Sequence, residues 1–291
     1  MALKHSEGAV FISGATSGLG LETAKHFVKI GKQVVFCGRN TELVEATLKH
    51  LKSFGLKNQL IMGYSNDVSN RESTTKMIEK LSNLGIKVDV LICNAGQIGP
   101  IDRFLENKLE DWEEAFNVNL YGTINLIREI LPSMILRKKG KVIHISGGGA
   151  TSPLFGMSSY AASKAAAVRL IETVALEYED SGVAFNSIAP GMLKTKLLEQ
   201  MLDAGPDRIG GNFFAKTFAK AESPSDSTLQ AIDLIHFLAS EASVGITGKL
   251  ISAEWDNWAQ WPSHLSEIKT LDLYTLRRIT GRDRGQTWGD L

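Results

Sequence analysis

The sequence predicts an α/β protein: a doubly wound parallel sheet of about seven strands, helices on both faces, and a tail beyond the last strand. Three observations predict it. Strand-length apolar runs alternate with helix-length amphipathic stretches, a glycine-rich turn joins the first run to the first stretch, and no internal repeat or Pro/Ser-rich linker interrupts the pattern.

The elements follow in order. Ala9–Ser13 reads as a strand, and Leu21, Ala24, Phe27 and Val28 then recur at helical spacing until Gly31, a residue suited to the left-handed turn that ends a helix. Gln33–Cys37 is the second strand, followed by a helix through Leu43 and Leu51, and a third strand lies near Leu60 to Tyr64. Val88–Cys93, Lys141–Ile145, Val183–Ile188 and Lys249–Ser252 complete the set, with long patterned helices at Trp112 to Met134 and Tyr160 to Tyr178. Strands separated by crossover helices imply parallel pairing with both faces covered. Residues 1–252 are read as one domain. Within it 195–225, carrying Gly205-Pro206 and Gly210-Gly211, reads as a mobile lid over a ligand. Residues 253–291, with Trp255, Trp258 and Trp261 and then Arg277, Arg278, Arg282 and Arg284, form an extension expected to pack on the domain or a neighbouring subunit.

Composition excludes several classes. Of 291 residues 43% are hydrophobic and 22% charged, the balance of a globular chain. Thirty-two basic residues offset thirty-two acidic ones, so no charge excess points to nucleic acid or an anionic membrane. No apolar window reaches the roughly 18 residues of a membrane span, and Met1 to Glu7 lack a signal-peptide run. A reducing, cytoplasmic setting is expected. Cys37 and Cys93 fall in or beside apolar strands and read as small core residues, and the histidines show no metal-ligand spacing. His144 reads as a satisfied core histidine.

Gly14, Gly18 and Gly20 stand where the first strand meets the first helix. Glycine there permits a tight turn and close approach of a phosphate to the helix's free N–H groups, as a dinucleotide requires. The second strand ends Phe36-Cys37-Gly38-Arg39-Asn40, without the carboxylate that bonds an NAD ribose. Arg39 is either the partner of a 2′-phosphate or a solvated loop cation; the missing acid favours NADP, with NAD as the alternative. Asp67 follows the third strand, as an acceptor for an adenine amino group or as a helix cap. Tyr160 and Lys164 are four residues apart, about one helical turn, which sets a phenol and an ammonium on one face.

These motifs together resemble the short-chain dehydrogenase/reductase family, from about Gly8 to Gly248. Ser13-Gly14 through Gly20 is similar to its Thr-Gly-x3-Gly-x-Gly turn, with Ser for Thr. Cys93-Asn94-Ala95-Gly96 is similar to its Asn-Asn-Ala-Gly element, Asn119 to its active-site Asn, Tyr160 and Lys164 to its catalytic pair. Pro190-Gly191 with Thr195 is similar to its nicotinamide contacts, and Thr247-Gly248 to the pair before its last strand.

The resemblance implies a Rossmann-type fold and hydride transfer between a nicotinamide cofactor and a small-molecule carbonyl or alcohol. It implies Tyr160, Lys164, Asn119 and Ser146 as catalytic residues and no metal. Cofactor contacts would come from Gly14, Thr16, Ser17, Gly18, Leu19, Gly20, Arg39, Asp67, Val68, Asn94, Ala95, Gly96, Tyr160, Lys164, Pro190, Gly191 and Thr195. It also implies a homodimer or homotetramer.

One position departs from the pattern. The family's catalytic Ser lies thirteen residues before the Tyr, and here that position is Gly147, inside His144-Ile-Ser-Gly-Gly-Gly-Ala-Thr151. Ser146 is the expected substitute; Thr151, Ser152 or Tyr160 alone are the other options. A phenol brought from a pKa near 10 to about 7 needs roughly 4 kcal/mol. One cation at about 4 Å supplies that order at an effective dielectric of about 20, before desolvation is subtracted, so Lys164, helped by the positive charge of oxidised nicotinamide, is expected to lower Tyr160. The competing readings are a catalytically weak nucleotide-binding relative, motivated by Gly147, and a sugar-nucleotide epimerase or dehydratase. The glycine spacing and the lack of a sizeable second domain argue against the latter.

Overall fold

The computed structural model describes residues 8–223, 227–286 and 288. Seven parallel strands run in the order β3-β2-β1-β4-β5-β6-β7: β1 (Ala9–Ser13), β2 (Val34–Gly38), β3 (Ile61–Ser65), β4 (Val88–Cys93), β5 (Gly140–Ile145), β6 (Val183–Ala189) and β7 (Lys249–Ser252). Every residue of β1 and β2 is buried, as expected of strands covered on both faces.

Side-chain alternation divides the core in two. Val10, Ile12, Phe36, Ile92, Ile143, Ile145, Ile188 and Ile251 meet helices α1 (Gly18–Lys29), α2 (Thr41–Lys52) and α10 (Thr228–Ala239) on one face. Phe11, Val35, Leu91, Val142 and Phe185 meet α3 (Arg71–Asn83), α5 (Gly122–Leu136) and α6 (Ser158–Glu177) on the other. A one-residue register slip would exchange the two sets, so the alternation fixes the pairing. Because β1 lies beside β4, the chain leaves these two strands in opposite directions, which opens a crevice at their carboxyl ends.

Helix α4 (Leu109–Phe116) continues through a π-turn (Asn117–Tyr121) into α5. The described part of 195–225 holds three helices, α7 (Lys196–Ala204), α8 (Pro206–Ile209) and α9 (Gly211–Glu222), separated by Gly205 and Gly210 at φ +77° and +81°. Positions 224 and 225 of the expected lid lie outside the described residues, as do 1–7 of the expected domain and 287 and 289–291 of the tail.

The tail packs on the sheet's outer edge. Trp261 is 4% exposed within the first core face and stacks on Tyr274 with centroids 4.2 Å apart. Trp258 packs on Phe237, and Ile268 of α11 (Leu265–Thr270) is buried. Leu250 N donates to Tyr274 O at 2.8 Å, and Lys249 Nζ donates to the carbonyls of Leu271 and Leu273. Trp255, in contrast, is 81% exposed. Among the described residues no helix is long and apolar enough to cross a membrane.

Candidate active site

The crevice collects most of the residues singled out from the sequence. Gly14 adopts φ +66°, and a Cβ there would lie 2.8 Å from the Ala95 Cα, so glycine is required twice over. Ser13 Oγ accepts from the N–H groups of Asn94 and Ala95, each at 3.0 Å. Asn94 Nδ2 donates to the Ser13 and Gly14 carbonyls, also at 3.0 Å. The glycine turn is thus bolted to the end of β4. Ser17 precedes α1 without making a side-chain cap, so the first N–H groups of that helix face the crevice with no hydroxyl in the way. Leu19 buries its side chain in the core, leaving only its backbone to a ligand. Thr195 approaches from the start of α7: its Cγ2 would be 3.3 Å from a Cβ at Gly18.

At the end of β2, a Cβ on Gly38 would lie 2.6 Å from Thr16 Cγ2. Arg39 is more than half exposed and weakly paired with Glu114 at 3.7 Å. Asp67 accepts from Ser69 N at 2.9 Å and from Ser69 Oγ at 2.7 Å; the cap of α3 is Asn70. Val68 is buried, and its carbonyl accepts from Asn125 Nδ2 at 2.9 Å.

The π-turn rotates Asn119 inward to full burial, where Oδ1 accepts from Gln97 N and Nδ2 donates to Gln97 O and Ser163 Oγ, all at 2.9 Å. A Cβ at Gly96 would sit 3.1 Å from Asn119 Oδ1 and 3.3 Å from Lys164 Nζ, so this glycine is the meeting point of the two. Lys164 is 5% exposed, and Nζ donates to Ile145 O at 2.8 Å.

The protein's own groups do not by themselves lower Tyr160. Burial pushes its phenol up to about 12, and burial brings Lys164 down to about 8. The ammonium lies 5.9 Å from the phenol ring centroid and is turned to the Ile145 carbonyl, so desolvation outweighs the Coulomb attraction computed for about 4 Å.

Ser146 is 3% exposed and its hydroxyl has no hydrogen-bond partner, Tyr160 included. Thr151 and Ser152 are exposed, and Thr151 Oγ1 turns back to Gly148 O. His144 is only half satisfied: Nδ1 is 3.2 Å from Ser187 Oγ, and Nε2 has no partner. Its pKa is lowered well below the usual histidine range by burial and by Lys164. Cys37 and Cys93 are buried free thiols pushed up by desolvation.

Sequence reasoning missed two features. An apolar cluster of Ile98, Leu154, Met157, Leu197, Met201, Ile209 and Phe213 joins α7, α8 and α9 to the ring of Tyr160. Glu254 carries its carboxylate to 2.9 Å from where a Gly191 Cβ would be, and no motif announces it. A separate cavity of about 650 Å³ opens at the opposite ends of the strands, among Gly8, Asp89, Lys141, Glu179 and His236, and touches none of these groups.

The fold and this crevice define a dinucleotide-binding α/β protein. The short chain dehydrogenase family matches residues 8–204, and the chain belongs to that family. Among its relatives is the 3-oxoacyl-acyl-carrier-protein reductase FabG of Thermotoga maritima, 29% identical over 249 residues, covering 85% of this chain and 97% of the relative. Two solved structures share the fold. NAD+-bound xylitol dehydrogenase has TM-score 0.75 at 20% identity over 84% of this chain and 96% of its own. An actinorhodin polyketide ketoreductase variant with NADPH has TM-score 0.76 at 23% identity over 87% and 97%.

Proposed function

We propose that the chain is an NADP(H)-preferring oxidoreductase that interconverts a small-molecule carbonyl and its alcohol, with Tyr160 as the general acid and base. The observation that carries the reading is the convergence of the Gly14 turn, Asn94, Gly96, Asn119, Lys164 and Tyr160 at one crevice, at the carboxyl ends of β1, β4 and β5. The cradle fits a nucleotide: Gly14 and Gly18 take positive φ, and the start of α1 offers unbonded N–H groups to a pyrophosphate. A bound nicotinamide supplies or accepts the hydride.

The remaining work belongs to the chain. At neutral pH Tyr160 holds its proton, the form needed to protonate a carbonyl oxygen as it gains negative charge. Lys164 stays charged below about pH 8 and opposes the cost of the phenolate left behind. Asn119 holds the Gln97 loop and Ser163 in place around that lysine. Ser146, with a hydroxyl free of protein partners, is the polariser of the substrate oxygen. In this reading the turn residues Thr16, Ser17 and Leu19, with Pro190, Gly191 and Thr195 across the crevice, are the remaining cofactor contacts.

NADP is favoured over NAD because Thr16 fills the space a side chain at 38 would need, while Arg39 beside it is held only by a distant glutamate. Arg39→Ala is expected to raise KM for NADPH about tenfold and to leave NADH use unchanged, in line with loss of one charge-assisted contact. The ketoreductase activity named for the relatives supports the carbonyl assignment. NADPH oxidation against ketones, quinones, keto-sugars and ketoacyl thioesters tests it, with Tyr160→Phe as control. Turnover abolished by that substitution supports the reading; turnover that survives it removes Tyr160 from the mechanism. The second reading, a nucleotide-binding relative with little turnover, draws on the partnerless Ser146 and on Gly147. NADPH binding without turnover of any of these substrates would favour it.

A further inference from the structure

We propose that Gly147 is a positioning residue: its missing side chain is the space in which the Tyr160 hydroxyl sits. The inference rests on the reading of Tyr160 as the proton donor. A Cβ built on Gly147 would lie 2.2 Å from Tyr160 Oη, 3.2 Å from Cζ and 3.5 Å from Cε1. Nothing in the backbone demands glycine, because φ −171° and ψ 168° are extended values open to any residue.

The three glycines of the run stand for different reasons. A Cβ at Gly149 would press on the α6 backbone, 2.9 Å from Ala161 Cα, and one at Gly148 would meet nothing within 4 Å. Only Gly147 is addressed to the phenol.

Helix α6 cannot retreat to make room. Ser159 Oγ donates to Trp112 O at 2.7 Å, and Ser163 Oγ accepts from Asn119 and donates to Tyr160 O at 2.9 Å. Lys164 Nζ anchors the next turn to Ile145 O. A side chain at 147 is therefore accommodated by swinging the far end of the phenol, which displaces the hydroxyl and leaves the fold intact. Serine at 147, which would restore the family's usual pattern, is incompatible with the hydroxyl where it now lies.

The test compares Gly147→Ala, Gly147→Ser and Gly148→Ala in the full chain. Displacing a reacting group by about 1 Å costs on the order of a hundredfold. Both substitutions at 147 are expected to lower kcat by that order, with KM for NADPH within about twofold, and Gly148→Ala to leave kcat unchanged. A second readout needs no substrate: alkaline absorbance titration at the phenolate band, with Tyr160→Phe subtracted. The phenol that titrates near 12 in the parent should move toward 10 in Gly147→Ala as it swings out of its buried position. Equal losses in Gly147→Ala and Gly148→Ala, undiminished kcat in Gly147→Ser, or an unmoved titration would each overturn the inference. Turnover surviving Tyr160→Phe would instead overturn the functional reading, and the titration would still report where the hydroxyl sits.

Discussion

Replacing Lys164 by methionine should abolish turnover and, at neutral pH, stabilise the protein. Burial brings the Lys164 ammonium down to about 8 from an ordinary value near 10.4. Below about pH 8 the folded state therefore carries a charge that it holds less readily than the unfolded chain does. At about 1.4 kcal/mol per unit, this charge costs the folded state about 3 kcal/mol. Methionine removes that cost but leaves the Ile145 carbonyl without its donor, a loss of about 1–3 kcal/mol. The net gain at pH 7 is about 1 kcal/mol.

The pH dependence is more decisive than the net value. Between about pH 8 and 10.4 the unfolded chain binds the proton that the folded protein has released, so the parent gains stability as pH rises. Lys164→Met lacks that gain. Urea unfolding of both proteins from pH 7 to 10.5 should show the variant's advantage shrinking and reversing, by about 3 kcal/mol in all. A variant less stable at pH 7, with a gap to the parent that does not change with pH, would refute the account of Lys164 as a strained buried cation.

Three further outcomes are expected. Gly14→Ala forces φ +66° on alanine and presses a methyl against the Ala95 backbone; a loss of about 2–4 kcal/mol and of NADPH binding should appear in denaturant unfolding and fluorescence titration. Trp261→Ala empties a core site and strips the stacking partner of Tyr274, which should cost about 3–5 kcal/mol by urea midpoint without altering the KM for NADPH. The kcat/KM of carbonyl reduction should fall about tenfold per unit above about pH 8, as Lys164 loses its charge; a profile flat to pH 10 would contradict its role.

Much of the sheet was legible in the chain. Ala9–Ser13, Val88–Cys93 and Lys249–Ser252 form strands over the expected residues, β5 and β6 differ by one residue at one end, and β2 and β3 are shifted by one residue at both, because buried parallel strands are continuous apolar runs. The glycine turn was legible for a similar reason: positive φ and close backbone approach leave glycine almost no substitutes. What sequence spacing cannot carry is depth. It set Tyr160 and Lys164 on one face, yet it is burial that raises one and lowers the other, in both cases against the expected coupling. Gly205 and Gly210 signalled interruption, and the breaks they make fall between helices, whose presence the mixed apolar and polar residues there did not announce. Trp255 and Trp261, alike in type and six residues apart, end at the surface and in the core. His144 had the look of a satisfied strand residue, but satisfaction depends on a neighbouring strand, and Ser187 reaches only one of its nitrogens.

The tail's grip on β7 bears on how the molecule comes into being. Trp261 and Ile268 are synthesised long after Val10 and Ile12, yet they close the same core that those two strand residues begin. Until they arrive, β7 presents an unpaired margin and the first core face lacks a wall. Synthesis from the amino end thus produces an almost finished sheet before the segment that covers its β7 side.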